Sequence, residues 1–119
     1  MADSFKGTNN IILQPGTNDM PYTFTFSVCT SATANDGFIP YTDSVSSVAV
    51  KAFDADGTDV TSELIQGTPS VSSNAVTVNL NYPSSSGVGN YHLELVVTLA
   101  SGAIDEADFT RIVAKDISL

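Results

Sequence analysis

The chain is predicted to be an all-β protein, an antiparallel sandwich of two packed sheets. Two observations predict it. Apolar and polar residues alternate with period two in several separate stretches, and no stretch sustains a helical repeat over several turns. Between those stretches lie Gly-, Pro-, Asn- and Asp-rich segments of turn composition, namely "QPGTND", "ANDG", "DADG", "QGTPS", "PSSSGVGN" and "ASG".

Residues 1–20 carry little periodic signal. They are expected as an extended N-terminal arm or a first edge strand, with Ile11 to Leu13 opening the domain and residues 21–119 forming the sandwich. "YTFTFSVCT" points Tyr22, Phe24, Phe26 and Val28 inward, opposite Thr23, Thr25, Ser27 and Cys29. "SSVAVKAF" adds Val48, Val50 and Ala52. Val60 to Ile65 fits either a short edge strand or a single helical turn. "NAVTVNLNYP" offers Val76, Val78, Leu80 and Tyr82, and "NYHLELVVTLASG" offers Tyr91, Leu93, Leu95, Val97 and Leu99. Each such strand has one buried and one wetted face, as in sheets packed in two layers. The last stretch, "DEADFTRIVAKDI", places Phe109, Val113 and Ile117 inward but carries Arg111 and Lys115 in the same phase. It is an edge strand guarded by charge, or a strand re-phased by a bulge near Ile112.

About seven strands at this spacing point to an immunoglobulin-like or fibronectin-III-like sandwich. "GVGNYHLEL" strengthens the assignment, because a Gly-x-Tyr entering a strong strand resembles the tyrosine corner of those folds, with the Tyr91 hydroxyl bonded to nearby backbone. Leu93 stands where antibody domains place a cysteine, and the chain has one cysteine and no tryptophan. An intramolecular disulfide is therefore impossible.

A chain of 119 residues is one domain by size and buries about two thirds of its unfolded surface on folding. Thirteen acids against four bases give a formal charge of −9. That field repels phosphate backbones and anionic lipid, so neither nucleic acid nor membrane is an expected partner. The opening "MADSFKGTNN" lacks the basic and apolar regions of a secretory signal, and no apolar run approaches the ~20 residues of a membrane span. Synthesis and folding in a cytoplasm are expected.

The segment "KAFDADGTDV" tests calcium chemistry. Counting from Asp54, Asp56 takes position 3 of an EF-hand-type loop, but Asp59 falls at position 6, where glycine is needed, and Ile65 at position 12, where a bidentate acid is needed. The segment reads as a turn in which Asp side chains cap backbone and Gly57 supplies a positive φ. Asp54, Asp56 and Asp59 are the weak metal candidates that remain. Asp105, Glu106 and Asp108 lie beside a solvated turn and read as a solvated face. With one His and one Cys, no Gly-x-Ser-x-Gly elbow and no glycine-rich phosphate cradle, catalysis and cofactors are not expected.

"NDGFIPYTDS" sets Phe38, Ile39, Pro40 and Tyr41 outside any alternating pattern. The loop either folds back to plug the end of the sandwich or presents an apolar patch to a partner.

The runs "FIPYTDSVSSVAVKAFDADGTDVTSELIQG", "VTVNLNYP", "GNYHLELVVTLASG" and "DFTRIVAKD", spanning residues 38–116, resemble small immunoglobulin-like virion accessory proteins of tailed bacteriophages. The resemblance implies a non-enzymatic virion protein, chiefly a capsid decoration (cement) protein. It would dock on the major capsid protein or other virion subunits as a homo-oligomer, a trimer suiting capsomer junctions. Phe38, Ile39, Pro40 and Tyr41, with Phe5, Ile11 and Ile12 of the arm, would be its interface anchors. Two other roles fit the same setting. One is a carbohydrate- or host-surface-binding module of a tail fibre or baseplate; the other is a head–tail joining or tail-tube subunit.

Overall fold

The protein, described from a computed structural model over residues 5–7 (backbone) and 10–115, is a sandwich of two four-stranded sheets. Its elements are β1 (Phe5–Gly7), β2 (Ile11–Leu13), β3 (Met20–Phe26), β4 (Val45–Asp54), α1 (Thr61–Leu64), β5 (Ile65–Ser72), β6 (Ala75–Leu80), β7 (Gly89–Leu99) and β8 (Ile104–Ala114). One sheet has the order β1-β3-β6-β5 and the other β2-β8-β7-β4. That arrangement is the constant-type immunoglobulin pattern, with the N-terminal segment divided between the two sheets.

Of the two readings of the N-terminal segment, the edge strand holds over the described residues and the extended arm does not: β1 pairs with β3 and β2 with β8, each at the edge of its sheet. The β2–β8 pair is parallel, so the sandwich is not purely antiparallel.

The alternating residues fill the space between the sheets. Phe24, Phe26, Val76, Val78 and Leu80 from one layer meet Ala52, Leu93, Leu95, Val97 and Phe109 from the other, all buried. Phe24 and Phe109 meet edge to face across the layers, with ring centroids 5.0 Å apart. Tyr91 is buried and its hydroxyl donates to the Gly87 carbonyl at 2.6 Å. That is the tyrosine corner predicted from "GVGNY". Burial and the nearby Glu63 charge push this phenol up, which keeps it a proton donor.

The last strand is re-phased by a bulge and is not an edge. A register shift between Tyr91 and Leu93 sets Ile112 opposite the first and Phe109 opposite the second. Ile112 and Ala114 therefore face the core, while Val113 is only half-buried. This overturns the inward assignment of Val113; Ile117 lies outside the described residues. The exposed edge beside β8 belongs instead to short β2.

In the middle of the chain Thr61–Leu64 forms a single helical turn, one of the two alternatives for that stretch, while the "QGTPS" segment is corrected: it lies within β5 rather than forming a turn. A register shift between Gln66 and Ser70 accommodates Gly67, whose φ is +71°. An edge strand tolerates such a bulge because only one side of its ladder is paired.

The "FIPY" loop plugs one end of the sandwich. Phe38 and Ile39 are buried, and the Phe38 ring lies 4.8 Å from that of Phe26. The loop is pinned by hydrogen bonds from the Cys29 N–H to the Ile39 carbonyl at 2.8 Å and from the Ile39 N–H to the Ser27 carbonyl at 2.9 Å. Cys29, expected on the wetted face, is buried against this loop, with Sγ 3.5 Å from the Gly37 carbonyl.

Candidate docking face

Both ends of the sandwich are fastened by carboxylates. At the plugged end, Asp43 accepts from the Ser101 N–H and hydroxyl at 3.2 and 2.6 Å and from the Ser44 N–H at 2.9 Å. Asp36 closes its loop by accepting from the Thr30 hydroxyl and N–H. At the opposite end, Glu63 of α1 accepts from the Ser85 N–H, the Ser86 N–H and the Ser86 hydroxyl, at 2.7, 2.6 and 2.8 Å. These bonds to the charged form hold Asp36, Asp43 and Glu63 below the usual carboxylate range.

Of the three calcium-loop candidates, Asp54 and Asp59 cap turns with their carboxylates, and Asp56 joins through its backbone N–H. Asp54 Oδ1 accepts from the N–H groups of Asp56 and Thr58, each at 2.9 Å, and Gly57 sits at φ +84°. Asp59 Oδ1 accepts from the Thr61 N–H and hydroxyl, and these bonds hold its carboxyl low. Among the described residues, the acids that converge are others: Glu94, Glu106 and Asp108, whose ligand oxygens lie within 4.8 Å of one another.

That cluster sits on the solvent side of the sheet β2-β8-β7-β4. Glu94 and Asp108 are direct cross-strand partners, and Glu106 stands opposite Val96 two pairs further along, at the next position on the same face. Like charges placed opposite each other destabilise a sheet. The Glu94 charge, then partial desolvation and the Asp108 charge, push Glu106 above its ordinary value. Lys51 of β4 is paired in register with Glu94.

Apolar side chains surround these acids. Ile104, 68 % exposed, pairs in register with Thr98, and Ala49 pairs with Val96 on the same face. Phe53 and His92 stack with ring centroids 5.2 Å apart. Ile12, 45 % exposed, pairs with half-buried Val113 at the far edge. The edge strand β4 is itself partly covered: the Val60 N–H bonds the Ala52 carbonyl, the Asp54 N–H bonds the Thr58 carbonyl, and the Ala52 N–H bonds Thr61 Oγ1.

The expected interface anchors fall in different places. Phe38, Ile39 and Ile11 are committed to the core, so they form no exposed patch with Tyr41, which is 49 % exposed beside half-buried Pro40. Ile12 faces solvent, and the side chain of Phe5 lies outside the described set. The acid-and-apolar face was missed by the sequence reading. Its signal was present in "HLELVV" and "IDEAD", whose outward residues become neighbours only once the register of β7 and β8 is known.

Fold and site together define an acidic immunoglobulin-like sandwich with one sheet face that mixes exposed apolar groups with a crowded set of carboxylates. No protein-family model matches the chain, and no curated protein matches it.

Proposed function

We propose that the chain is a non-enzymatic structural subunit of a virion, of the capsid-decoration kind, which docks through the outer face of the sheet β2-β8-β7-β4 onto a basic surface of the shell. The setting comes from the resemblance stated above. The mode of docking comes from one observation: Glu94, Glu106 and Asp108 are crowded together on a face that also carries exposed Ile104 and half-buried Phe53 and Val96.

Crowded acids cost stability in the free chain, and local violations of this sort concentrate at functional positions. Cationic side chains of a partner relieve the repulsion while the aliphatic and aromatic neighbours lose water. A second copy presenting the same face brings more acid to the contact, so the complementary surface belongs to a different protein.

Quantitative mass spectrometry of purified virions tests the role. A copy number on the scale of the major capsid protein supports decoration. A ring-scale number supports a head–tail or tail-tube subunit instead, and absence from the particle refutes a virion role. Binding to undecorated particles tests the face: Glu106→Lys should weaken it by an order of magnitude or more, corresponding to at least about 1.4 kcal/mol. Undiminished binding by that variant would move the contact elsewhere.

A further inference from the structure

A cleft at the end of the sandwich opposite the plug is independent of the docking face. It is an open cleft of about 370 Å³ between Gly16, Thr17 and Asn18 of the β2–β3 connection, Asn81, Tyr82, Ser84 and Ser85 after β6, and Glu63 of α1. That volume lies at the lower end of the range for small-molecule sites.

The walls are fixed by their own hydrogen bonds. The Tyr82 N–H donates to the Thr17 carbonyl at 2.9 Å, and the Asp19 N–H donates to Asn81 Oδ1 at 2.8 Å. The Asn81 amide donates to Gln66 Oε1 at 3.1 Å, and Glu63 holds the Ser85–Ser86 backbone. A ligand entering this cleft meets loops already ordered, so little conformational entropy is lost on binding.

The chemistry of the lining selects the ligand. Within the described residues, the Tyr82 hydroxyl, the Ser84 hydroxyl and the Asn18 amide make no hydrogen bond to the protein. Each can both donate and accept. Tyr82, half-buried against the core, also lines the cleft, so it brings aromatic surface to the same site as these polar groups. Glu63 is the one carboxylate of the lining, and it is held ionised by its bonds to Ser86 and Ser85. Its charge repels anions. A hard divalent cation takes six or more oxygen ligands, commonly several of them carboxylates, and this lining offers a single carboxylate.

The geometry points to a binding site for a neutral, polyhydroxylated ligand, a saccharide ring seated against Tyr82 with its hydroxyls shared among Asn18, Ser84 and the cleft backbone. The site needs no other protein and does not rest on the virion reading.

The test titrates the ¹⁵N-labelled full chain with glucose, galactose and N-acetylglucosamine separately, to tens of millimolar, and follows the amide resonances. Saturable shifts confined to Thr17, Asn18, Asn81, Tyr82, Ser84 and Ser85 with at least one sugar are expected. Ser84→Trp, a substitution at an exposed position that fills the cleft, should abolish them with the thermal midpoint unchanged; Asn18→Ala should weaken binding several-fold. Silence with all three sugars overturns the proposal. So do shifts that survive Ser84→Trp, and equal or stronger occupancy of the cleft by inorganic phosphate or calcium. None of these outcomes alters particle binding through the acidic face, so the two proposals fail separately.

Discussion

Gly37→Ala is the sharpest probe of how the "FIPY" loop is held. A Cβ at this position would lie 2.5 Å from both Cys29 N and Val28 C and 2.9 Å from Ser27 O. Carbon contacts are comfortable at about 3.5–4.0 Å, so the two segments must part by roughly 1 Å. The atoms crowded are backbone, and no side-chain rotation relieves them. Separation breaks or stretches the Cys29–Ile39 and Ile39–Ser27 hydrogen bonds, each worth about 0.5–1.5 kcal/mol net. It also lifts Phe38 and Ile39 from the core, an overpacking strain of about 1–3 kcal/mol. The sum is about 4 kcal/mol, out of a total of roughly 5–15 for a domain of ordinary stability. At about 4 °C per kcal/mol the melting midpoint should fall by ~16 °C. Gly57→Ala is the control: φ is +84° but no atom lies within 4 Å of the added carbon, so only backbone strain of about 1 kcal/mol applies. Urea denaturation of both variants with an unchanged m-value is the assay. If Gly37→Ala proves no more costly than Gly57→Ala, the loop is not a tightly seated plug and the close-approach argument is wrong.

Tyr91→Phe removes the bond to the Gly87 carbonyl and should cost about 1–2 kcal/mol by chemical denaturation, with the fold unchanged by far-ultraviolet circular dichroism. Acid should destabilise the chain. Asp36, Asp43, Asp59 and Glu63 are held low in the folded state, so the unfolded chain takes up protons first. Their contribution is full at neutral pH and is lost as pH falls from about 4 through their folded values, which a urea-midpoint series against pH will follow. Glu106 has the opposite sign, because its raised value makes the charged cluster a cost above that pKa. Glu106→Gln should therefore stabilise the free chain at neutral pH and lose that advantage in acid, while weakening particle binding; a variant that is less stable at neutral pH would contradict the repulsion. Millimolar calcium should bring no stabilisation at this turn, since Asp54 and Asp59 already accept turn N–H and hydroxyl groups; a rise of several degrees that persists in Glu106→Gln would restore the metal reading there.

Strands with long alternation were legible because period two fixes which side chains face the core whatever the neighbouring strand is. Phe24, Val76, Val78, Leu93, Leu95 and Val97 could be placed inside from the pattern alone. Tyr91 was legible for a different reason: the corner is a local motif whose donor and acceptor lie four residues apart. Of the N-terminal strands, β2 was legible as Ile11–Leu13 but its partner was not, because three residues give too few alternations and the parallel β2–β8 pairing depends on a strand about 100 residues away. β5 hid behind Gly67 and Pro69, which read as a turn until an edge bulge accommodates them. Val113 was misplaced because a bulge shifts the phase of everything after it by one residue, turning an inward set outward.

The same limit explains why the candidate face escaped the sequence and the turn acids did not. Asp54 and Asp59 act on atoms two to four residues away, so spacing alone decided between turn and calcium loop. Glu94 and Asp108 meet only through the register of two strands, and Lys51 joins them from a third. The net charge of −9 says that acids abound, not where three of them are forced together. A partner would read that local density and not the total, because screening over about 8–10 Å at physiological salt removes most of the distant charge. Salt should accordingly weaken particle binding through this face, while an uncharged saccharide in the cleft should bind with little dependence on salt. Titrating both interactions against sodium chloride separates the two sites by their electrostatics alone.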